Sequence, residues 1–332
     1  MLKMELYKLL KRKLVLIILL GLFSYALYVN ISDTGDPHRP YELEKYEAAK
    51  GILTDERLEN FFENYERKEV DIFEDSFMKD GNLEKVSELY PNIGFDLHFG
   101  YFLVWIQRLV MFGKFMPYVT AFVIIAFSAV FTYEKECGMQ EVLLSTKNGR
   151  RKCTRAKVAV AVLVTNSICL LALVLMLGPV FLLTKGIGWD TSVQMTSSLR
   201  TVQIDVNYLT LVFHVCFLSV MAVNVVLLLT LLVSFLSNSP VMAMCITLII
   251  LLVLRPDVVG AHIGNVVMNR IVSLSPLNVV KITNLVDQEP IQFGSIKIHC
   301  LAIAEVIYPL ILVVMGIILF RVVTRHQKYY AS

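Results

Sequence analysis

No GxxxxGK(S/T) pattern occurs anywhere in the 332 residues, so the chain carries no phosphate-cradling loop of its own. HExxH and GxSxG are also missing, which removes the common zinc-protease and nucleophile-elbow hydrolase readings. Cysteine is scarce. The six are Cys137, Cys153, Cys169, Cys216, Cys245 and Cys300, with no CxxC and none in the polar segment 32–98. Neither a disulfide framework nor a structural zinc site is indicated. The six histidines (38, 98, 214, 262, 299 and 326) show no metal-ligand spacing. A net charge of only +3 means little as a sum, because the two signs are segregated along the chain.

What the chain has in abundance is apolar sequence. It is 56% hydrophobic with a mean hydropathy of +0.63. Soluble domains sit near 45–50% and do not gather those residues into long runs. The composition predicts an all-α polytopic membrane protein.

Residues 1–13 hold five Lys/Arg and one Glu, with Leu2, Leu6, Leu9 and Leu10 at helical spacing. This suits an amphipathic helix at a membrane surface. Leu14–Ile31 is then an apolar run of 18 residues, near the lower limit for a span. A signal peptide is the rival reading, with Ser24-Tyr25-Ala26 as its cleavage site; the expectation is a retained first transmembrane helix. Residues 32–98 contain 18 Asp/Glu and 8 Lys/Arg, a net −10. Thr54 can cap a helix with Asp55 and Glu56 in its first turn, and Leu58, Phe61, Phe62 and Tyr65 follow on one face. This predicts a small helical extracellular insert between spans one and two.

Phe99–Lys114 is apolar but interrupted by Gln107, Arg108, Gly113 and Lys114, and is expected to lie along the outer interface. Phe115–Thr132, Val158–Leu183, Leu209–Leu236, Val241–Leu254 and Cys300–Phe320 supply five further spans. Trp189 and Tyr208 are expected as interfacial anchors of the outer loop 184–207. Val241–Leu254 has only 14 residues, short for a straight crossing. Segment 257–299, with Gly260, Gly264, Pro276 and Pro290, suits helices dipping into the outer leaflet. The expected layout is therefore 1–31, interfacial helix and first span; 32–98, acidic extracellular domain; and 99–332, the five-span core. That makes six transmembrane helices with both termini inside. Three short inner segments hold 15 of the 31 Lys/Arg, while the outer loop 184–207 has two, as the positive-inside bias requires.

The most informative polar stretch is the loop 134–157, with seven Lys/Arg against Glu134, Glu136 and Glu141. A cationic loop that merely fixes topology is one reading; a docking surface for a soluble partner is the other. Gly138 is expected to let a neighbouring backbone come close. Glu134 and Glu136 stand where charge-assisted bonds to the basic run are available. Leu143 and Leu144 are apolar in a polar loop, suited either to a partner's groove or to lipid. Within the spans, Glu305 lies about 8 Å from the outer end of the last one at 1.5 Å per residue; it marks a pathway or reaches the headgroups. His214 and Asn224 are intramembrane polar positions for which hydrogen-bonded packing is the competing account.

The 134–157 stretch resembles the loop between spans two and three of type-2 ATP-binding-cassette permeases, the ABC-2 family. That loop typically reads Glu-x-Glu-x-Gly-Thr, Leu-Leu, Thr-Pro-x-Ser-Arg, then Lys. The matching residues are Glu134, Glu136, Gly138, Leu143, Leu144, Thr146, Arg150 and Lys157, without a gap; Met139, Lys147 and Gly149 depart from the pattern. The acidic segment 32–98 is not part of the common layout. The resemblance implies a permease subunit of an exporter that docks two copies of a separate ATPase through this coupling loop. ATP and Mg would be held on that partner, with no cofactor on this chain. It further implies pairing with a second permease copy or a paralogue, contact with membrane lipid and none with nucleic acid. The implied location is the cell membrane, as a multi-pass protein of a bacterial cytoplasmic membrane. The acidic outer segment, not the resemblance, suggests a peptide or amphiphile as cargo more than an ion. The rival from another class is a membrane sensor or scaffold with an extracellular ligand-binding domain.

Overall fold

Hydrocarbon offers no partner for a backbone N–H or C=O, so a long apolar run satisfies both internally by forming a helix. The computed structural model describes residues 2–33, 50–52, 54, 96–99, 103–138, 149–195, 199, 202, 204–253, 272–281, 285–286, 290–293 and 296–329. Its helices are α1 (Leu2–Leu10), α2 (Lys13–Asp33), α3 (Leu103–Phe127), α4 (Ala129–Glu136), α5 (Gly149–Thr184), α6 (Tyr208–Leu236), α7 (Pro240–Val253), α8 (Pro276–Val279) and α9 (Cys300–Tyr329). Two antiparallel ribbons pair β1 (Gly51–Ile52) with β2 (His98–Phe99) and β3 (Ile291–Phe293) with β4 (Ile296–Ile298).

Among the described residues, five helical stretches are long and apolar enough to cross a membrane: Lys13–Asn30, Trp105–Glu136, Lys152–Leu182, Tyr208–Leu236 and Cys300–Val323. The chain is thus mostly helical and fits a polytopic membrane protein. The expected sixth span is α7, whose 14 residues extend about 21 Å against a hydrocarbon core of about 30 Å. The helices of the acidic insert fall outside the described residues.

Two spans are inner and three outer. In the most apolar 18 residues of the Trp105–Glu136 and Tyr208–Leu236 spans, 67% and 61% are buried, against 17% in those of the Lys13–Asn30 and Cys300–Val323 spans and 28% in that of Lys152–Leu182. α6 is apolar all round, as a central helix must be, and packs on α3, α5, α7 and α9. Asn207 caps it, its side-chain oxygen accepting from the Thr210 N–H at 2.9 Å.

The stretch expected to lie along the interface is instead the first half of α3, which runs unbroken through Gly113 and Pro117. Trp105, Leu109, Phe112 and Met116 recur at helical spacing and are buried, while Gln107 and Lys114 face outward. Arg108 is buried on the inner face. The expected anchors Trp189 and Tyr208 are likewise packed into the protein. Tyr208 is fully buried, and Trp189 meets Trp105 edge-on at 5.6 Å.

Proline inside a helix leaves the carbonyl four residues earlier without its donor. Pro179 does this to Leu175 in α5. The Asn30 side chain, from α2, donates to that Leu175 carbonyl at 2.8 Å, and Arg108 of α3 donates to the Asn30 side-chain oxygen at 3.0 Å. Three helices are joined by this relay.

Candidate functional site

α3 ends where serine and threonine hydroxyls bond back to the helix. Ser128 donates to the Ile125 carbonyl and Thr132 to that of Ser128, each at 3.1 Å, a pattern that bends helices. Ser234 of α6 fastens the bend, donating to the Ser128 carbonyl at 2.6 Å and accepting from the Phe131 N–H. The short α4 that follows carries the first residues of the predicted coupling loop.

Here α1, α4, α5 and the end of α6 converge around four cations. Lys157 is 4% exposed. It forms an ion pair with Glu134, donates to the Val130 carbonyl at 3.1 Å and lies over the Phe131 ring. Glu134 also faces Lys8 of α1 at 3.7 Å, and Lys8 bonds Glu5 at 2.9 Å. Lys135 donates to the carbonyls of Phe235 and Ser237, the latter at 2.9 Å, so a cation closes the carbonyl end of α6. Arg12 reaches the carbonyls of Ala126 and Ala129 at the α3–α4 bend, both at 3.4 Å, and lies over the Tyr133 ring.

Partial burial works against the Lys8 ammonium. The hydrogen bond to Glu5 and the charges of Glu5 and Glu134 outweigh it, so the Lys8 pKa is raised. Burial pushes the Arg12 guanidinium down, with Tyr133 and Glu5 opposing. Glu5, Glu134 and Cys153 approach one another within 4.8 Å, but Lys8 and Lys157 already supply the positive charge these carboxylates need. This assembly can hold the two ends of a loop together and pass on a displacement.

Of the sequence-predicted residues, Glu134 and Lys157 are brought together. Glu136 and Gly138 lie exposed at the end of α4. Gly138 has φ +65°, and no atom lies within 4 Å of where a Cβ would be. The expected close approach of a neighbouring backbone is therefore absent among the described residues; the left-handed turn is what calls for glycine. Leu143, Leu144 and Thr146 lie outside the described residues, and Arg150 falls in the first turn of α5. His214 Nδ1 and a carboxylate oxygen of Glu305 form a hydrogen bond between α6 and α9. Asn224 is not part of that pair: it bonds Asn166 of α5 at 2.9 Å, and stands ten residues, about 15 Å, along α6 from His214.

Sequence reasoning missed Lys8, Arg12 and Lys135 as partners of this site, and Asn30 and Arg108 in the core. Two of the signals were local and available. Lys135 is adjacent to Glu134 just where a helix leaves the membrane, and Pro179 requires a donor for Leu175. The chain matches no protein-family model, no curated protein and no solved structure.

Proposed function

We propose that this chain is the permease subunit of a type-2 ATP-binding-cassette exporter in the cell membrane, a bacterial cytoplasmic membrane in the full reading. It has six spans and both termini inside, and separate ATPase chains, two per transporter, dock on residues 134–157. ATP and Mg are handled by those chains. A second permease copy or a paralogue completes the path, the acidic segment 32–98 faces outside as a substrate or partner surface, and the cargo is a peptide or amphiphile.

The observation that supports this best is the Lys157–Glu134 pair, which closes the base of the loop from the two helices that enter and leave it. Lys8 adds α1 to that base, and Lys135 adds the end of α6. A push on the loop is delivered to four helices at once, as coupling to a soluble motor requires. The clustering of Lys/Arg in residues 1–13 and 134–157 supports the orientation. The His214–Glu305 pair is the pathway element of this reading.

The test is recovery of the full chain from native membranes, with mass spectrometry of what comes with it. An ATP-binding-cassette ATPase should co-purify, and Leu143→Asp with Leu144→Asp should release it, because two unpaired carboxylates would enter its groove. Normal assembly and transport by the double variant would overturn the reading. Impermeant cysteine labelling of intact cells checks orientation: Ser76→Cys should label and Ser145→Cys should not.

A further inference from the structure

The described part of α7 covers 14 residues, and Leu277, on the segment that carries α8, packs on the cluster of Ile124, Val226 and Leu251 near its end. Gly113 fixes how near that segment comes. A Cβ on Gly113 would stand 3.3 Å from the Val280 carbonyl oxygen and 3.6 Å from the Lys281 Cα, so only glycine gives this approach without a shift. Beyond the contact, a cavity of about 230 Å³ opens between α3, α7 and α8, walled by Pro117, Ala121, Leu248, Leu251 and Leu277. Three polar side chains border it. Thr120 spends its hydroxyl on the Met116 carbonyl at 3.0 Å, and Asn278 spends its amide on Val272 and Ser275. Lys281 also lines the cavity, and its ammonium pairs with no carboxylate or carbonyl among the described residues.

We propose that this cavity binds a free long-chain fatty acid, the end of its alkyl chain among Ala121, Leu248 and Leu251 and its carboxylate on Lys281. An apolar cavity of about 150 Å³ is known to take benzene, so about 230 Å³ takes the end of one chain, not the paired chains of a diacyl lipid. An ammonium with no partner among the described residues matches a single carboxylate, and at membrane depth a charge-assisted bond outweighs a neutral one. The proposal goes beyond the transport reading and holds whether or not an ATPase docks.

The experiment uses the full chain in phosphatidylcholine nanodiscs, above neutral pH so that the carboxylate is ionised. The probe is palmitate with a photoreactive diazirine near its methyl end, and adducts are mapped by mass spectrometry. Saturable adducts are expected on the α3 and α7 residues that wall the cavity. Unlabelled palmitate should compete about tenfold better than hexadecanol, the margin of one charge-assisted bond. Lys281→Gln should erase that margin and Lys281→Arg should keep it, both with the parent's melting midpoint. Ala121→Trp, which fills the cavity, should abolish the adducts; since it also risks misfolding, the two Lys281 variants carry the test by themselves. Non-saturable labelling spread over the outer faces of α2 and α9 would overturn the proposal. So would hexadecanol competing as well as palmitate, phosphatidylglycerol competing better than either, or a Lys281→Gln chain that keeps the palmitate preference.

Discussion

Asn30 donates its side-chain amide to the carbonyl of Leu175, 145 residues away in the chain, the carbonyl that Pro179 deprives of its helical donor. Asn30→Leu should therefore destabilise the protein by about 2–3 kcal/mol, because a buried carbonyl loses its donor and Arg108 loses an acceptor. Adding Pro179→Ala gives Leu175 its own helical N–H back and should recover part of the loss. Melting midpoints in detergent read both effects. A double variant no more stable than Asn30→Leu alone would refute the assignment.

For the loop base, Lys157→Met leaves Glu134 without its closest cation and should cost about 3–5 kcal/mol, as when one partner of a buried ion pair is removed. Glu134→Gln with Lys157→Met should cost less than Lys157→Met alone. Thermal unfolding of the parent chain and the two variants measures this, and equal losses would show that the pair is not what holds α4 to α5.

His214 and Glu305 are partly exposed, 24% and 30% by side chain, so their contact is not sealed inside the protein. A double-mutant cycle on His214→Ala and Glu305→Ala should give a coupling of about 1 kcal/mol. A coupling near zero would leave Glu305 with no helix-joining role.

At Gly138 the conformation rather than the space is restrictive. Gly138→Ala should cost about 1 kcal/mol and Gly138→Asn less, since asparagine tolerates the left-handed region better. Under the permease reading, both should keep partner binding and change how the loop leaves α4. An alanine variant as stable as the parent chain would argue against the left-handed turn.

The raised Lys8 pKa has a defined sign. Its contribution to holding α1 in place is fully present below the unfolded-state value of about 10.5 and is lost as pH rises through the higher folded value. Limited proteolysis of residues 1–12 should be constant from neutral pH to about pH 9 and should increase only beyond about pH 10.5. Release of α1 near neutrality would exclude this attachment.

The spans were legible because run length is a local property. The α2 and α6 runs were read nearly to their ends; α9 was read from its start at Cys300 to Phe320, although the helix continues to Tyr329. Arg108 was misread for a non-local reason. In the sequence it interrupts an apolar stretch and suggests an interface, but its acceptor Asn30 lies 78 residues away. Glu134 and Lys157 were legible as residue types at the two ends of a loop, while their contact depended on the antiparallel packing of α3–α4 and α5. The β3–β4 ribbon had a signal that went unread. Ile291-Gln292-Phe293 and Ile296-Lys297-Ile298 alternate at period two around Gly294-Ser295, a two-residue hairpin signature, and Phe293 does pair with Ile296.

The Asn166–Asn224 contact restricts the kind of motion the helices can make. Each amide donates to the other's oxygen, at 3.4 and 2.9 Å, and each also donates to the carbonyl four residues before it. Sliding α5 along α6 by one turn would separate both amides inside an apolar environment, whereas rotation about the contact keeps them together. A paired asparagine in a helical seam fixes register in this way. The contact therefore resists translation of α5 along α6 more than rotation about it, and a rotation there would carry the two ends of α5, at Lys157 and Thr184, in opposite senses.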